Sequence, residues 1–321
     1  MSAIPLPDDS QTRASRMLRT ALGADVRAWL AQDDVVEVML NPDGRLWIDR
    51  LGTGLSDTGV RLEAAEGERI IRLVAHHVDG EAHARSPRIS AELPTTGERF
   101  EGLLPPVVSA PTFAIRKPAI RAVTLSDYVD QGVMDRAQAD TLAAAVGWPR
   151  NILVAGATAS GKTTLANALL AELSGTEQRV VILEDTVELR CPAPNTVALR
   201  SRDGTASLTD LLRSTLRLRP DLIVVGEVRG PEALDLIKAW GTGHPGGIAT
   251  VHAGTALGAL RRLEQLIAES AVTVPRDLIA ETVDVIAVLS GRGSARRLTE
   301  LVAVQGLDAG GYSLIPLGDA S

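Results

Sequence analysis

Hydrophobic and polar positions change rhythm about a third of the way along the chain. In the first part, Leu18, Leu22, Val26 and the pair Trp29/Leu30 recur at helical spacing, which predicts a helix from about Thr12 to Leu30. Two short runs, Val36–Leu40 and Arg45–Asp49, flank Asn41-Pro42-Asp43-Gly44, a turn sequence that predicts a β-hairpin. A second amphipathic stretch covers roughly Glu63 to Val78, and strand-like runs follow near Arg88–Leu93, Arg99–Leu104 and Thr112–Arg116. Strands gathered beside a few helices read as α+β. Residues 118–126 read as a linker. Beyond them, fully apolar runs at Ile152–Ala155, Val180–Leu183, Leu222–Val225, Ile248–Val251 and Val285–Leu289 alternate with helical patterns near Lys162–Leu173, Ser207–Leu218, Pro231–Trp240 and Thr255–Glu269. Short strands without a polar face, separated by helices, predict a parallel sheet covered on both sides. The expected organisation is an α+β domain over residues 1–117, a linker over 118–126 and a larger α/β domain over 127–321.

The 321-residue length suits two compact domains. With 33 basic and 40 acidic side chains the formal charge is −7, and only four Trp, two Tyr and two Phe are present. Such a chain offers neither a broad cationic face for nucleic-acid phosphates nor a platform for stacking bases, so nucleic acid is not an expected direct partner. Cys191 is the only cysteine, which excludes an intramolecular disulfide and a cysteine-rich zinc site. The first residues lack the basic start and apolar core of a signal peptide. Residues 239–260 carry no Asp, Glu, Lys or Arg, but two histidines, a proline and scattered glycines argue against a membrane helix. A cytoplasmic location is the expectation.

One segment changes the picture. Gly156-Ala157-Thr158-Ala159-Ser160-Gly161-Lys162-Thr163 fits G-x-x-x-x-G-K-[ST], with an apolar strand before it and an amphipathic helix after it. In that context the loop N–H groups and the positive end of the helix face an anion. Lys162 reaches the terminal phosphates, and the Thr163 hydroxyl is a ligand for Mg²⁺. Lys162 is one of three lysines, with Lys117 and Lys238, in a chain that otherwise draws its positive charge from Arg. Three further segments fall at predicted strand ends, where ligands collect in open α/β sheets. They are Glu184-Asp185-Thr186-Val187-Glu188, Gly226-Glu227-Val228-Arg229, and Gly241–Gly247 leading through Ile248–Val251 to His252.

Taken in this order, the phosphate loop, the acidic box, the Gly-Glu at a strand end and the stretch Gly243-His244-Pro245-Gly246-Gly247-Ile248-Ala249-Thr250-Val251-His252-Ala253 resemble the four motifs of the hexameric ATPases of type IV secretion and conjugation, within the secretion superfamily of traffic ATPases. Pro105-Pro106 and Ile115-Arg116-Lys117 match that family's N-terminal domain and its junction with the core. The resemblance spans about residues 33–301. It implies a RecA-like P-loop NTPase core with a smaller α+β N-terminal domain, ATP as substrate with Mg²⁺, a homo-hexameric ring, and a nucleotide site between the domains. It also implies work at an inner-membrane secretion or conjugation channel, with peripheral contact at the cytoplasmic face. A type II secretion or type IV pilus motor is the near alternative, although its assembly members usually carry a paired Cys zinc module that one cysteine forbids. A nucleic-acid translocase or recombinase on the same core is the alternative of another class.

The resemblance assigns roles residue by residue. Gly156, Ala157, Thr158, Ala159, Ser160, Gly161, Lys162, Thr163 and Thr164 hold the nucleotide. Glu227 orients the attacking water, and Glu184 and Asp185 organise the water shell of the metal that Thr163 ligates. His252 senses the terminal phosphate and His244 shapes its loop. Arg99 and Arg116 match positions that approach the phosphates, and Arg229 is a further charged candidate. The family loop usually has Gly where this chain has Ala159, so a positive φ there is expected to cost about 1 kcal/mol. Gly226 stands where many P-loop enzymes place the metal-organising Asp, and the acidic box is expected to supply that carboxylate. Arg213 and Arg217, spaced by four, read as a solvated helix face ahead of Arg219 and Pro220, and His76, His77 and His83 as surface or packing residues.

Overall fold

The structure, a computed structural model, describes residues 16–78, 80–94, 96–117, 123–202, 204–244, 246–271 and 273–318. The start of the first predicted helix, residues 118–122 of the linker and Pro245 lie outside them. Contacts divide the chain into two units, Met1–Ile120 and Arg121–Ser321.

The first unit is built on a six-stranded antiparallel sheet. Its strands are β1 (Val35–Leu40), β2 (Arg45–Arg50), β3 (Gly54–Arg61), β4 (Arg88–Glu92), β5 (Arg99–Leu103) and β6 (Thr112–Arg116), in the order β3-β2-β1-β6-β5-β4. The hairpin expected around Asn41–Gly44 is the β1–β2 pair, while β3, which has no alternating apolar face, was not legible. The first predicted helix is interrupted. Residues 16–21 are helical, Gly23 takes φ +75°, and α1 (Gly23–Leu30) starts anew. Helix α2 (Ala64–His77) opens with a capping box between Glu63 and Glu66. It lies close on the sheet, since a Cβ on its Gly67 would come within 2.7 Å of Leu40 Cδ2. Ile70, Ile71 and Val74 join Val38, Leu40, Phe100 and Ile115 in one core.

The second unit carries an eight-stranded sheet. In chain order its strands are β7 (Asn151–Gly156), β8 (Val180–Glu184), β9 (Thr196–Arg200), β10 (Leu222–Val228), β11 (Gly247–Val251), β12 (Val285–Ser290), β13 (Arg297–Asp308) and β14 (Gly311–Pro316). The spatial order is β14-β13-β12-β7-β11-β10-β8-β9. Strands β7 to β12 are parallel, and β13 and β14 extend the sheet as an antiparallel edge. Alternate residues of the apolar strands feed two cores, one per face. Ile152 and Val154 pack with α3 (Leu125–Asp130), α4 (Arg136–Gly147) and α5 (Lys162–Ala171). Leu153 and Ala155 pack with α6 (Leu208–Thr215), α7 (Glu232–Gly241), α8 (Ala256–Ala268) and α9 (Arg276–Thr282). This two-sided burial is why the strands read as unbroken apolar runs. Within the sheet the strand ends β7, β11, β10 and β8 stand side by side, which brings four distant sequence segments onto one edge.

Candidate functional site

The chain leaves β7 at Gly156 and enters α5 at Lys162, with Gly161 as the N-cap at φ +98° and no side chain capping the helix. The positive N-terminal end of α5 therefore faces the loop, a setting suited to an anion. Two loop residues sit in the left-handed region. Gly161 does so freely. Ala159 does so at φ +63°, so its Cβ carries the strain expected of a non-glycine residue there. Ser160 is almost fully buried with no hydrogen-bond partner for its Oγ among the described residues, and a Cβ on Gly156 would strike it at 2.3 Å. Lys162 is 8% exposed. Its Nζ donates to the Ala157 carbonyl at 3.2 Å and stands 3.3 Å from His252 Nδ1.

Strand β10 has a bulge at this edge: Val225 faces Ala249 and Val228 faces Val251, so Gly226 and Glu227 together oppose the single residue Thr250. The Thr250 hydroxyl donates to the Gly226 carbonyl at 2.6 Å, which ties the bulge down. A bulge turns a side chain away from the regular pleat, and Glu227 here reaches His252, with Oε1 2.5 Å from Nε2. An ammonium only donates, so the His252 Nδ1 that faces Lys162 accepts, and the proton belongs on Nε2, where it bonds Glu227. Lys162, His252 and Glu227 form one chain of contacts across three strand ends.

The acidic box lies at the end of β8. Glu184 is 6% exposed, and its carboxylate accepts from the amides of Glu188 at 2.8 Å and Leu189 at 3.0 Å. Burial pushes its pKa up to about 7 against the opposing pull of those amides. The Gly226 position is crowded by Glu184, whose Cβ lies 3.1 Å from where a Cβ on Gly226 would stand. The Glu184 side chain thus starts beside residue 226, with its carboxylate turned to the Glu188 and Leu189 amides. Asp185 pairs with Arg229 and accepts a hydrogen bond from Ser201. Arg229 is positioned in turn by Glu232, a buried acid whose Oε1 takes the amides of Arg229 and Gly230, each at 2.8 Å.

The other predicted residues divide. His244 is half-buried at the start of the turn into β11, and Gly247 beyond it is sterically required. A Cβ there would meet the Ile223 carbonyl at 2.3 Å and Trp240 Nε1 at 2.4 Å. Arg99 and Arg116 belong to the first unit, directly opposite each other on β5 and β6, with Glu37 opposite Arg116 on β1. Burial raises the Glu37 carboxyl, and Arg116 pulls it back. Arg213 pairs with Asp235 at 3.3 Å on the surface. His83 contacts Glu81, and no metal-binding cluster occurs among the described residues. Ser201 and Glu232 escaped sequence reasoning because nothing in their local pattern marks them, and Thr250 was named only as part of the stretch leading to His252.

A family model described as "Type II/IV secretion system protein" matches residues 83–298. The chain is 50% identical over 307 residues to the probable conjugal transfer protein TrbB of Sinorhizobium fredii, covering 95% of this chain and 94% of that protein. It is 32% identical over 285 residues to the type IV secretion system protein VirB11 of Bartonella henselae, covering 76% and 80%. The solved structure of the Legionella pneumophila ATPase DotB superposes with a TM-score of 0.61 at 20% identity, covering 94% of this chain and 83% of that one, and shares its fold.

Proposed function

The chain belongs to the type II/IV secretion system protein family, and from that premise we propose that it is an Mg²⁺-dependent ATPase. In this reading it works as a homo-hexameric ring that powers conjugative pilus assembly or substrate transfer through a type IV secretion system. The observation that carries the reading is the alignment of four strand ends, which sets Lys162, His252, Glu227 and the Glu184–Asp185 loop along one edge of a parallel sheet. That edge is where α/β folds bind ligands.

Each group then has a task. The loop amides and Lys162 neutralise the phosphates, and Lys162 must exchange its Ala157 and His252 contacts for phosphate oxygens. Glu227 orients the attacking water and accepts its proton, and Gly226 and Thr250 hold the bulge that aims it. His252 reports the terminal phosphate because it touches both Lys162 and Glu227, and His244 shapes its loop. Thr163, Glu184 and Asp185 offer only oxygen donors, a set suited to Mg²⁺. Thr163 would hold the ion directly, and Glu184 and Asp185 through water. When bound, Mg²⁺ neutralises charge on the phosphate oxygens. Arg229 is assigned to the acidic loop it already pairs with. Arg99 and Arg116 are assigned to the phosphates. Within their own unit they stand directly opposite each other, with Glu37 opposite Arg116.

Among the described residues no helix is long and apolar enough to cross a membrane. The proposed seat is at the cytoplasmic face of the inner membrane, in peripheral contact beside the channel proteins. The test is steady-state ATP hydrolysis with mass measured in the same buffer, for wild type and Lys162→Ala. Mg²⁺-dependent turnover by a six-subunit particle, lost in the variant, is expected. A monomer that neither binds nor hydrolyses ATP overturns the reading.

A further inference from the structure

Strand β12 lies beside β7 on the side away from β11, and its Leu289 pairs with Gly156, so its end adjoins the phosphate loop. From Ser290 the chain turns through the 3₁₀ segment Gly293–Ala295 and delivers Arg296 onto that loop. A Cβ on Gly161 would come within 2.8 Å of both Arg296 Cζ and Nε and 3.2 Å of Nη1. The guanidinium thus lies against the residue that caps α5. Among the described residues its Nε–H is buried without a hydrogen-bond partner, and no carboxylate pairs with Arg296. The nearby Tyr128 phenol is buried as well, and its hydroxyl is within hydrogen-bonding reach of the Arg296 guanidinium and feels its charge, which leaves Nε as the unanswered donor.

This placement is electrostatically the wrong way round for a chain without ligand. The N-terminus of a helix carries partial positive charge, so a cation there is unfavourable. Lys162 already occupies the first position of α5. A third positive group with an unanswered donor becomes favourable only when an anion sits on the loop. Glu227 and His252 stand beyond β7 on the opposite side, on β10 and at the end of β11. A phosphate chain on the loop is then flanked by those residues on one side and by Arg296 on the other.

Building on the nucleotide site proposed above, we propose that Arg296 is a positioning residue for the phosphate loop. Its planar guanidinium walls Gly161 into the left-handed conformation. Its charge raises the loop's affinity for the polyphosphate of a nucleotide, and so links nucleotide occupancy to the turn between β12 and β13. No residue larger than glycine fits at 161 while Arg296 is in place.

The experiment compares wild type with Arg296→Ala, Arg296→Gln and Arg296→Lys. It reads ligand-free thermal midpoint, the dissociation constant of a fluorescent ADP analogue, and KM and kcat for ATP. Arg296→Ala is expected to keep or raise the ligand-free midpoint while weakening ADP binding about tenfold, with the loss falling on KM more than on kcat. Arg296→Lys recovers part of the affinity, and Arg296→Gln, which lacks the charge, does not. Affinity in Arg296→Ala within twofold of wild type overturns the inference. So does a fall in ligand-free midpoint that matches the fall in affinity across all three variants, because that is the mark of a packing residue alone. A wild-type chain that binds no ADP removes the nucleotide site itself and this inference with it.

Discussion

Nε2 of His252 lies 2.5 Å from Oε1 of Glu227, so the carboxylate assigned to the attacking water is held by a neighbour that also touches Lys162. Because Lys162 only donates, the His252 Nδ1 that faces it is expected to accept, with the proton on Nε2 toward Glu227. Nitrogen-15 NMR of the histidine rings in ligand-free protein checks this. A proton on Nδ1 contradicts the arrangement.

The same contact predicts non-additive kinetics. Glu227→Gln should bind ATP within about twofold of wild type and lose at least about a hundredfold in turnover. His252→Ala should also turn over more slowly, and the double variant should be no worse than Glu227→Gln alone, since both residues act as one unit. Multiplicative losses would show that they act separately.

Ala159 at φ +63° marks a stabilising substitution. Replacing it with Gly relieves about 1–2 kcal/mol of left-handed strain and costs about 0.5–1 kcal/mol in unfolded-chain entropy. A net gain of about 0.5–1 kcal/mol in urea unfolding is expected. A lower midpoint in Ala159→Gly would mean that the loop is not strained there.

Gly247→Ala should be severely destabilising. Its methyl group would meet the Ile223 carbonyl and the Trp240 indole, which themselves share a hydrogen bond of 3.2 Å in the core. Overpacking of this kind costs about 1–3 kcal/mol or more. Equal thermal midpoints for variant and wild type would require the β10–β11 spacing to be looser than it is.

Glu37 gives a pH signature. Burial holds its carboxyl above its ordinary value, with Arg116 opposing. A raised carboxyl favours the folded state fully only below the unfolded value, and that contribution is lost as pH rises through the folded one. Glu37→Gln should therefore match wild type near pH 4 and become the more stable of the two toward neutral pH in urea titrations. A constant difference across that range would remove Glu37 as the source.

Much of this protein was written in local pattern. The apolar runs at 152–155, 180–183, 222–225, 248–251 and 285–289 all became parallel strands, because burial on both faces leaves no polar position to blur the signal. The turn from β7 through Gly156–Gly161 into α5 was legible as well, since its backbone requirements are confined to a few consecutive residues. Other features depended on strand order, which no run of residues encodes. The β10 bulge exists only relative to β11, and it aims Glu227 at His252. The crowding of Gly226 by Glu184 follows from β8 lying beside β10. Arg296 reaches Gly161 across 135 residues of chain only because β12 returns beside β7. Spacing along a chain sets backbone conformation and burial, whereas which side chains meet is set by the order in which buried strands pair.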